Sequence, residues 1–315
     1  MIDRAARIFV AGHRGMVGSA IVRRLERGGY RNLLMRTRQE LDLLDPAATR
    51  EFLKAQKPDF IFVAAAKVGG INANNTQRAD FIYQNLMIEA NLIHGAWSAG
   101  IGRLCFLGSS CIYPRDCPQP IREEYLLAGP LEPTNEPYAI AKIAGIKLCE
   151  SYNRQYGTRY FSVMPTNLYG PNDNYDLQNS HVLPALIRKA HESKLAGKKD
   201  LDVWGSGEPR REFLYVDDLA DACVFLMEAE IAEGLYNIGC GQDLTIRELA
   251  ETVRSVVGLA GRIVFDTSKP DGTPRKLLDV GLMQKMGWVA QTPLSDGIVL
   301  AYKDYLARSS GEYPG

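Results

Sequence analysis

Tyr138 and Lys142 lie four residues apart in a segment, residues 136–150, whose composition favours a helix. At this spacing both side chains project from the same helical face. An ammonium beside a phenol favours the phenolate, so the pair predicts a tyrosine that exchanges protons near neutral pH. The two residue types also meet at this spacing by chance, and the alternative for Tyr138 is an amphipathic surface residue. The chemistry therefore depends on what the chain places around the pair.

A serine follows a predicted buried strand at a position suited to binding a substrate oxygen. Residues 104–107 are apolar, and Ser109 comes two residues after them. In open α/β sheets the carboxyl ends of the strands line the ligand crevice. Ser109 can therefore hydrogen-bond a substrate carbonyl alongside Tyr138. The alternative for Ser109 is the capping of a turn, which is common for serine.

The chain opens with a glycine-rich turn. Gly12, Gly15 and Gly18 follow the apolar residues 8–11 and begin a helical pattern over residues 16–27. Glycines at this spacing permit a tight turn, close approach to a pyrophosphate and close packing of helix on sheet. The helix N-terminus offers amide donors to the phosphates. The motif predicts dinucleotide binding, and an ordinary strand-to-helix turn is the less favoured alternative.

The end of the second predicted strand indicates which dinucleotide binds. NAD-binding proteins usually carry an acid there, which holds the ribose 2′-hydroxyl. Residues 35–38 contain Arg36 and Arg38 and no acid, and Arg14 in the glycine-rich turn can join them. Guanidinium groups suit a 2′-phosphate, so the sequence favours NADP(H). The alternative is a solvated basic turn.

Composition excludes several classes of function. The 315 residues are 46% hydrophobic and carry 37 basic and 37 acidic side chains, for a net charge of zero. No basic run suggests a nucleic-acid or membrane surface, and no apolar run approaches membrane-spanning length. The six cysteines show no zinc spacing, so we predict no metal site and a reducing, cytoplasmic compartment. The first predicted strand leaves no room for a signal peptide before it.

Short apolar runs alternate with helical patterns through the first half of the chain. This alternation predicts an α/β fold, a doubly wound parallel sheet of the Rossmann type with helices on both faces. The predicted strands are residues 8–11, 33–35, 60–64, 104–107 and 160–164, and the predicted helices are residues 16–27, a helix starting at 45–46, 81–99 and 136–150.

The pattern loosens after Pro165. Asp217 is a predicted helix N-cap, and Thr245 with Glu248 is a predicted capping box. We predict a dinucleotide-binding domain over residues 1–165, with returning segments from about 205–240, and a smaller C-terminal α/β substrate lobe within 166–315. The other expected elements are a loop over 167–179, a helix over 181–193, a turn at 204–207, strands at 213–215 and 235–238, and a loop over 269–274.

The motifs together match a family. The chain resembles the extended short-chain dehydrogenases/reductases that act on nucleotide sugars, over nearly its whole length. The resemblance is most specific over residues 131–155, and it narrows to members that epimerise C3 and C5 of a GDP-linked 4-keto-6-deoxymannose before reducing C4 with NADPH. It is carried by residues 12–18, 64–70, 109–114, 131–155 and 164–170.

The resemblance implies roles for five residues. Ser109 and Tyr138 would bind and protonate the C4 oxygen, and Lys142 would tune Tyr138 and bind the nicotinamide ribose. Cys111 and His181 would be the base and the acid of the epimerisation. Protons beside a ketone are acidic enough for a side chain to remove, and their return on the opposite ring face needs a second group. The alternatives are a small buried hydrophobe for Cys111 and a satisfied polar residue for His181.

The resemblance also implies binding residues and a partner. Lys189 stands where arginine is common in the family, which puts bidentate binding in doubt. Tyr215 stands where histidine is frequent. A homodimer would form through a four-helix bundle supplied by residues 81–99 and 140–153. The implied cofactor contacts are Gly12, His13, Arg14, Gly15, Met16, Val17, Gly18, Arg38, Leu41, Asp42, Leu107, Gly108, Lys142, Pro165, Asn167, Leu168 and His181, and the implied substrate contacts are Lys189, Trp204, Arg211 and Asp271.

Two other functions compete with this interpretation. One is a nucleotide-sugar epimerase or dehydratase that keeps and recycles a bound NAD(P). Cys111 and His181 argue against a C4 epimerase, which needs no such pair, and a dehydratase would want a carboxylate pair near Ser109. The other is a non-catalytic NADP-sensing or scaffold protein, which predicts the loss of Tyr138 or Lys142, yet both are present.

Overall fold

The computed structural model describes residues 2–177, 179–198, 200–269 and 271–310. The strands of this part of the chain are β1 (Ile8–Ala11), β2 (Leu33–Leu34), β3 (Phe60–Val63), β4 (Arg103–Leu107), β5 (Arg159–Pro165), β6 (Asn167–Tyr169), β7 (Asp200–Trp204), β8 (Arg210–Tyr215), β9 (Gly234–Ile238), β10 (Asp243–Thr245), β11 (Arg262–Asp266) and β12 (Arg275–Lys276). Its helices are α1 (Met16–Arg27), α2 (Pro46–Gln56), α3 (Ile71–Thr76), α4 (Arg78–Ser98), α5 (Glu136–Tyr156), α6 (Val182–Leu195), α7 (Val216–Glu228), α8 (Ile246–Val257), α9 (Gly281–Lys285) and α10 (Leu294–Ser309), with short 3-10 helices at Ser110–Ile112 and Glu123–Tyr125.

Six parallel strands form the central sheet, in the order β2-β1-β3-β4-β5-β9. Because successive side chains of a strand point to opposite faces, each strand supplies two cores. Ile8 and Val10 of β1 join the core under α1 and α7, whereas Phe9 and Ala11 join the core under α2, α4 and α5. Strands covered on both faces must be continuously apolar, which is the pattern in the sequence. The predicted doubly wound parallel sheet is confirmed.

The remaining strands lie outside the central sheet. Strand β8 pairs with β6, β10 and β12, and β7 pairs with β11. Helices α6, α8 and α10 pack with these strands around a third core. The predicted capping box at the start of α8 is confirmed, since Glu248 N–H donates to Thr245 Oγ1 and Thr245 N–H donates to Glu248 Oε2.

Two local predictions were wrong. The predicted loop over 167–179 contains β6, because these residues pair with β8, which is too distant in sequence for a local pattern to reveal. Asp217 is not the N-cap of α7. It lies inside the first turn, where it forms ion pairs with Arg23 and Arg27 of α1, and Tyr215 holds the cap position.

The remaining predictions concern two loops, one turn and membrane-spanning segments. Gln178 and Pro270, each within a predicted loop, lie outside the described residues. Trp204, placed in a turn by the sequence pattern, ends β7, and the turn follows it. Among the helices of the described ranges, none has the length and apolar character that crossing a bilayer requires.

Candidate active site

The glycine-rich turn between β1 and α1 is shaped by close backbone contacts. Gly12 has a φ of +85°, and a Cβ there would lie 2.7 Å from Ala65 N. A Cβ on Gly18 would overlap the carbonyl oxygen of Gly12. Gly15 precedes α1 and offers no capping side chain, and the first turn holds no acidic residue. The first amides of α1 are therefore open to an anion at the carboxyl end of the sheet.

A shallow cavity of about 290 Å³ adjoins this turn. Arg36 lies over the Phe52 ring and donates to Met35 O, and exposed Arg38 lies 3.9 Å from Asp42. The Nδ1 atom of His13 is buried without a hydrogen-bond partner among the described residues. An uncapped helix end, an orphaned buried donor or acceptor and a basic rim together fit a dinucleotide with a 2′-phosphate. The lining residues are Gly12, His13, Arg14, Gly15, Arg36, Thr37, Arg38 and Gln39.

The other predicted cofactor contacts continue along the same edge of the sheet. Leu107 ends β4, and Gly108 follows it with its N–H donating to Val163 O at 2.9 Å. Pro165 ends β5, and Asn167 and Leu168 begin β6 one residue further on, after Thr166. Met16 and Val17 open α1, and Leu41 and Asp42 lie in the segment between β2 and α2, Leu41 buried and Asp42 exposed.

Ser109 lies at this edge as well, at the cap of the short 3-10 helix Ser110–Ile112. Its Oγ accepts a hydrogen bond from Cys111 N–H at 3.4 Å, so the capping alternative describes this conformation. Burial raises the pKa of the Cys111 thiol, and Lys276, Ser109 and Lys142 act in the opposite direction. The capping role of Ser109 does not exclude binding of a substrate carbonyl, because the serine hydroxyl can rotate to another hydrogen-bond partner.

The Tyr138–Lys142 pair differs from its prediction in one respect. Burial raises the pKa of Tyr138 well above its ordinary value, with Cys111 and Glu89 adding to the rise. The Lys142 ammonium does not offset this, because it pairs with Glu89 Oε1 at 2.9 Å, and both side chains are almost fully buried. The expected lowering of the Tyr138 pKa was therefore wrong for this state, in which Tyr138 is a protonated phenol.

Lys276 is a residue that sequence reasoning missed. It lies on β12, and its charge lowers the pKa of both the Cys111 thiol and the His181 imidazole. Burial also lowers the pKa of Lys276 itself, as does the neighbouring Arg211, while Cys111 raises it. One ammonium is therefore close enough to both predicted epimerisation groups to lower the pKa of each. No local signal marked it, since β12 is two residues long and its partner strand β8 is distant in sequence.

His181 is held at the start of α6 and exposed to solvent. Crowding by the surrounding protein lowers its pKa, and Lys276 adds to this effect. The segment before it contacts the loop after β3, where Gly70 N–H donates to Asn179 O at 2.9 Å. A Cβ on Gly70 would lie 2.9 Å from the same oxygen, so only glycine permits this approach. This contact ties His181 to the carboxyl end of the central sheet.

The four predicted substrate residues come together in the second lobe. Trp204 is 61% exposed, and Lys189 Nζ lies 4.8 Å from its ring centroid. The Asp271 carboxylate accepts from Ser206 N–H at 2.6 Å, in the turn after Trp204. Arg211 is half-buried on β8, next to Lys276 on β12, and burial lowers its pKa. An exposed indole with the Lys189 ammonium beside it, and a basic pair of Arg211 and Lys276 on neighbouring strands, suits a base or sugar carrying phosphates.

Comparison with known proteins agrees with this geometry. The profile of the NAD dependent epimerase/dehydratase family matches residues 8–239, which is most of the chain. The chain belongs to this family. It is 58% identical to the GDP-L-fucose synthase of Escherichia coli (strain K12) over 309 residues, covering 95% of this chain and 96% of the relative. The resemblance inferred from the motifs is confirmed.

Solved structures of relatives share the fold of this epimerase/dehydratase family member. The GDP-mannoheptose C4 reductase from Campylobacter jejuni with NADP bound has a TM-score of 0.89 and 39% identity, and covers 97% of this chain and all (100%) of the other. A GDP-L-fucose synthetase from Naegleria fowleri bound to NADP also gives a TM-score of 0.89, at 26% identity, covering 98% and 97% of the two chains.

Proposed function

We propose that this chain converts GDP-4-keto-6-deoxy-D-mannose into GDP-L-fucose by epimerisation at C3 and C5 followed by NADPH-dependent reduction at C4. The observation that carries this proposal is the 58% identity to the Escherichia coli GDP-L-fucose synthase over nearly the whole of both chains. A single bifunctional site is supported by electrostatic proximity, since Cys111 affects the pKa of Tyr138 and Lys276 affects those of Cys111 and His181.

In the epimerisation stage, Cys111 removes the proton beside the ketone and His181 returns one to the opposite ring face. The thiolate is the reactive form of Cys111, and a nearby cation favours it. Lys276 supplies that cation, against the burial that raises the Cys111 pKa. The same charge stabilises the enolate that forms when the proton leaves. Lys276 thus supports the base and the product of proton removal together.

In the reduction stage, Tyr138 donates its proton to the C4 oxygen as that oxygen becomes an alkoxide. The raised pKa of Tyr138 keeps the proton on the phenol until the alkoxide forms, which suits an acid. Ser109 hydrogen-bonds the same oxygen, and Lys142 contacts the ribose. Bound NADPH supplies the hydride.

NADP(H) is the proposed cofactor. Its pyrophosphate would lie at the uncapped start of α1, against the turn of residues 12–18. The 2′-phosphate would lie near Arg14, Arg36 and Arg38, which line the adjoining cavity. The remaining predicted contacts line the carboxyl edge of the sheet, and relatives of known structure carry NADP.

The nucleotide sugar would bind across the second lobe. Trp204 offers an apolar face to the base or sugar, and Arg211 pairs with the pyrophosphate. Lys189 contributes a point charge without the fork of an arginine. Asp271 holds the turn after Trp204 in place, because its carboxylate accepts hydrogen bonds from the N–H and the hydroxyl of Ser206.

We also propose the division of the chain and its compartment. Residues 1–165 with returning segments from about 205–240 form the cofactor-binding domain, which is supported by β9 pairing with β5 in the central sheet. Residues 166–315 form mainly the substrate lobe, around the third core. A cytoplasmic location is supported by all six cysteines being free thiols.

A homodimer through α4 and α5 is proposed on the basis of their outer faces. Tyr83 is 63% exposed on α4, Ile140 and Tyr156 are 41% and 44% exposed on α5, and Trp97 stacks on Tyr156 at 4.3 Å. Apolar side chains of this size are usually covered when they cluster on adjacent helices. We expect sedimentation at micromolar concentration to give the mass of two chains. A single-chain mass throughout would contradict the proposal.

The activity is tested by incubation with GDP-4-keto-6-deoxymannose and NADPH. We expect loss of NADPH absorbance in step with formation of GDP-L-fucose, identified by the stereochemistry of the product. A parallel incubation in deuterated water without NADPH should label C3 and C5. Reduction without labelling would point to a C4 reductase alone, and no NADPH oxidation would reject the proposal. A parallel incubation with NADH measures the preference for the 2′-phosphate.

A further inference from the structure

Lys142 has a counter-ion inside the protein that its expected catalytic role does not require. Its Nζ lies 2.9 Å from Glu89 Oε1, and the two side chains are 2% and 1% exposed. Glu89 belongs to α4 and Lys142 to α5, so the ion pair crosses the interface between the two longest helices of the described chain. Removing two charges from water costs free energy that their mutual attraction often does not recover. Apolar residues at both positions would therefore stabilise the packing of the two helices at least as well.

The Glu89 carboxylate is committed to Lys142. Among the described residues neither of its oxygens has a partner in hydrogen-bond geometry, and its contact is the ion pair with Lys142 Nζ, 2.9 Å from Oε1. Room for it is made by Gly145, where a Cβ would lie 2.9 Å from Glu89 Oε2. Burial raises the pKa of Glu89 and Lys142 opposes that rise. The carboxylate therefore gains its stability in this environment from one ammonium.

The pair fixes where that ammonium lies. Its Nζ is 4.8 Å from the centroid of the Phe106 ring and 5.8 Å from that of the Tyr138 ring. A lysine side chain has four rotatable bonds and would otherwise sample several of these directions. Glu89 and Cys111 are both close enough to Tyr138 to raise its pKa.

We propose that Glu89 is a positioning residue for Lys142, holding the ammonium beside the Tyr138 ring through a dedicated buried ion pair. The reaction assigned to Lys142 rests on the proposed function, whereas the pairing does not. A packing role for Glu89 would depend on side-chain size, and a positioning role depends on its charge. These two dependences can be separated with substitutions that change only one of them.

The pairing is tested first without any substrate, by a double-mutant cycle. Glu89→Gln and Lys142→Met should each lower the melting temperature, because each leaves one buried charge unpaired. The double variant should melt above either single variant, since it removes both charges. Glu251→Gln, which breaks an exposed pair with Arg254 on α8, should melt like the parent protein. Additive losses in the cycle would overturn the pairing.

The positioning role is tested by ranking two variants in the reduction. Glu89→Gln keeps the size and loses the charge, so NADPH oxidation should slow by about 100-fold through displacement of Lys142. Glu89→Asp keeps the charge and should stay within about tenfold of the parent rate, despite the shorter side chain. Deuterium labelling of C3 and C5 should stay within about twofold in both variants.

The opposite ranking, in which the glutamine variant reduces at the parent rate and the aspartate variant is slower, would assign Glu89 to packing and overturn the proposal. A parent protein that oxidises no NADPH would instead reject the proposed function. The melting cycle would still decide the pairing in that case, so the two failures are distinguishable.

Discussion

Replacing Tyr138 with phenylalanine lowers the rate of C4 reduction by about 10³-fold and leaves labelling of C3 and C5 from deuterated water within about twofold of the parent protein. The substitution removes the proton donor and keeps the ring that packs against Phe81 at a centroid distance of 6.3 Å. Because the raised pKa of Tyr138 keeps its proton in place over the neutral range, no ionised form contributes to the parent rate there. NADPH oxidation and mass-resolved labelling measure the two stages separately.

A matched control separates this effect from a general loss of a tyrosine hydroxyl. Tyr302→Phe removes the hydroxyl that lies 2.9 Å from His191 Nδ1 in the second lobe. We expect the control to reduce at the parent rate. If Tyr138→Phe reduced normally, Tyr138 would not be the donor. If labelling fell as far as reduction, the substitution would have disturbed the whole site.

The first half of the fold was predictable because its signals are local. Strand β1, the glycine turn and α1 succeed one another within 20 residues, and the observed α1, Met16–Arg27, has the predicted bounds. Burial on both faces of the sheet left continuous apolar runs that mark strands without any knowledge of their partners. The position of Ser109 just past the end of β4 followed from the same signals, since strand ends in a parallel sheet share one edge.

The second half was less predictable because its strands are defined by distant partners. Strand β6 exists through pairing with β8, and β12 is two residues that pair with the same strand. Such short segments bury too few alternating side chains to leave a pattern in the sequence. For this reason the family resemblance indicated Cys111 and His181, whereas no local signal marked Lys276, the cation that affects the pKa of both.

The Tyr138–Lys142 pair shows a second limit of prediction from the sequence. Helical spacing placed the two side chains on one face, but it could not reveal Glu89, which lies 53 positions before Lys142 in the sequence and pairs with it across two helices. With its charge balanced, Lys142 does not lower the pKa of Tyr138 in this state. The sequence therefore indicated Tyr138 and Lys142, whereas the long-range pairing with Glu89 determines that Tyr138 keeps its proton in this state.

Cys111→Ser should lower deuterium labelling of C3 and C5 by about 10³-fold, because an alcohol is a much weaker acid than a thiol and offers almost no anionic base near neutral pH. NADPH binding should persist, since Cys111 lies outside the glycine turn. Cys117→Ser is the matched control, because Cys117 is a second thiol close enough to Lys276 to affect its pKa. Labelling at the parent rate in Cys111→Ser would rule Cys111 out as the base.

The pH dependence of labelling tests the same assignment. Burial raises the Cys111 pKa, and crowding by the surrounding protein lowers the His181 pKa, so the neutral pair predominates between those two values. The reactive form is the thiolate with imidazolium. It holds the same number of protons as the thiol with neutral imidazole, so the fraction of the protein in the reactive form is constant across that range of pH. Labelling should fall below the His181 pKa, where both groups are protonated, and above the Cys111 pKa, where neither is. Because Lys276 lowers both pKa values, Lys276→Met should move both the acidic and the basic fall in labelling to higher pH. If neither moved, Lys276 would not affect the pKa values of Cys111 and His181.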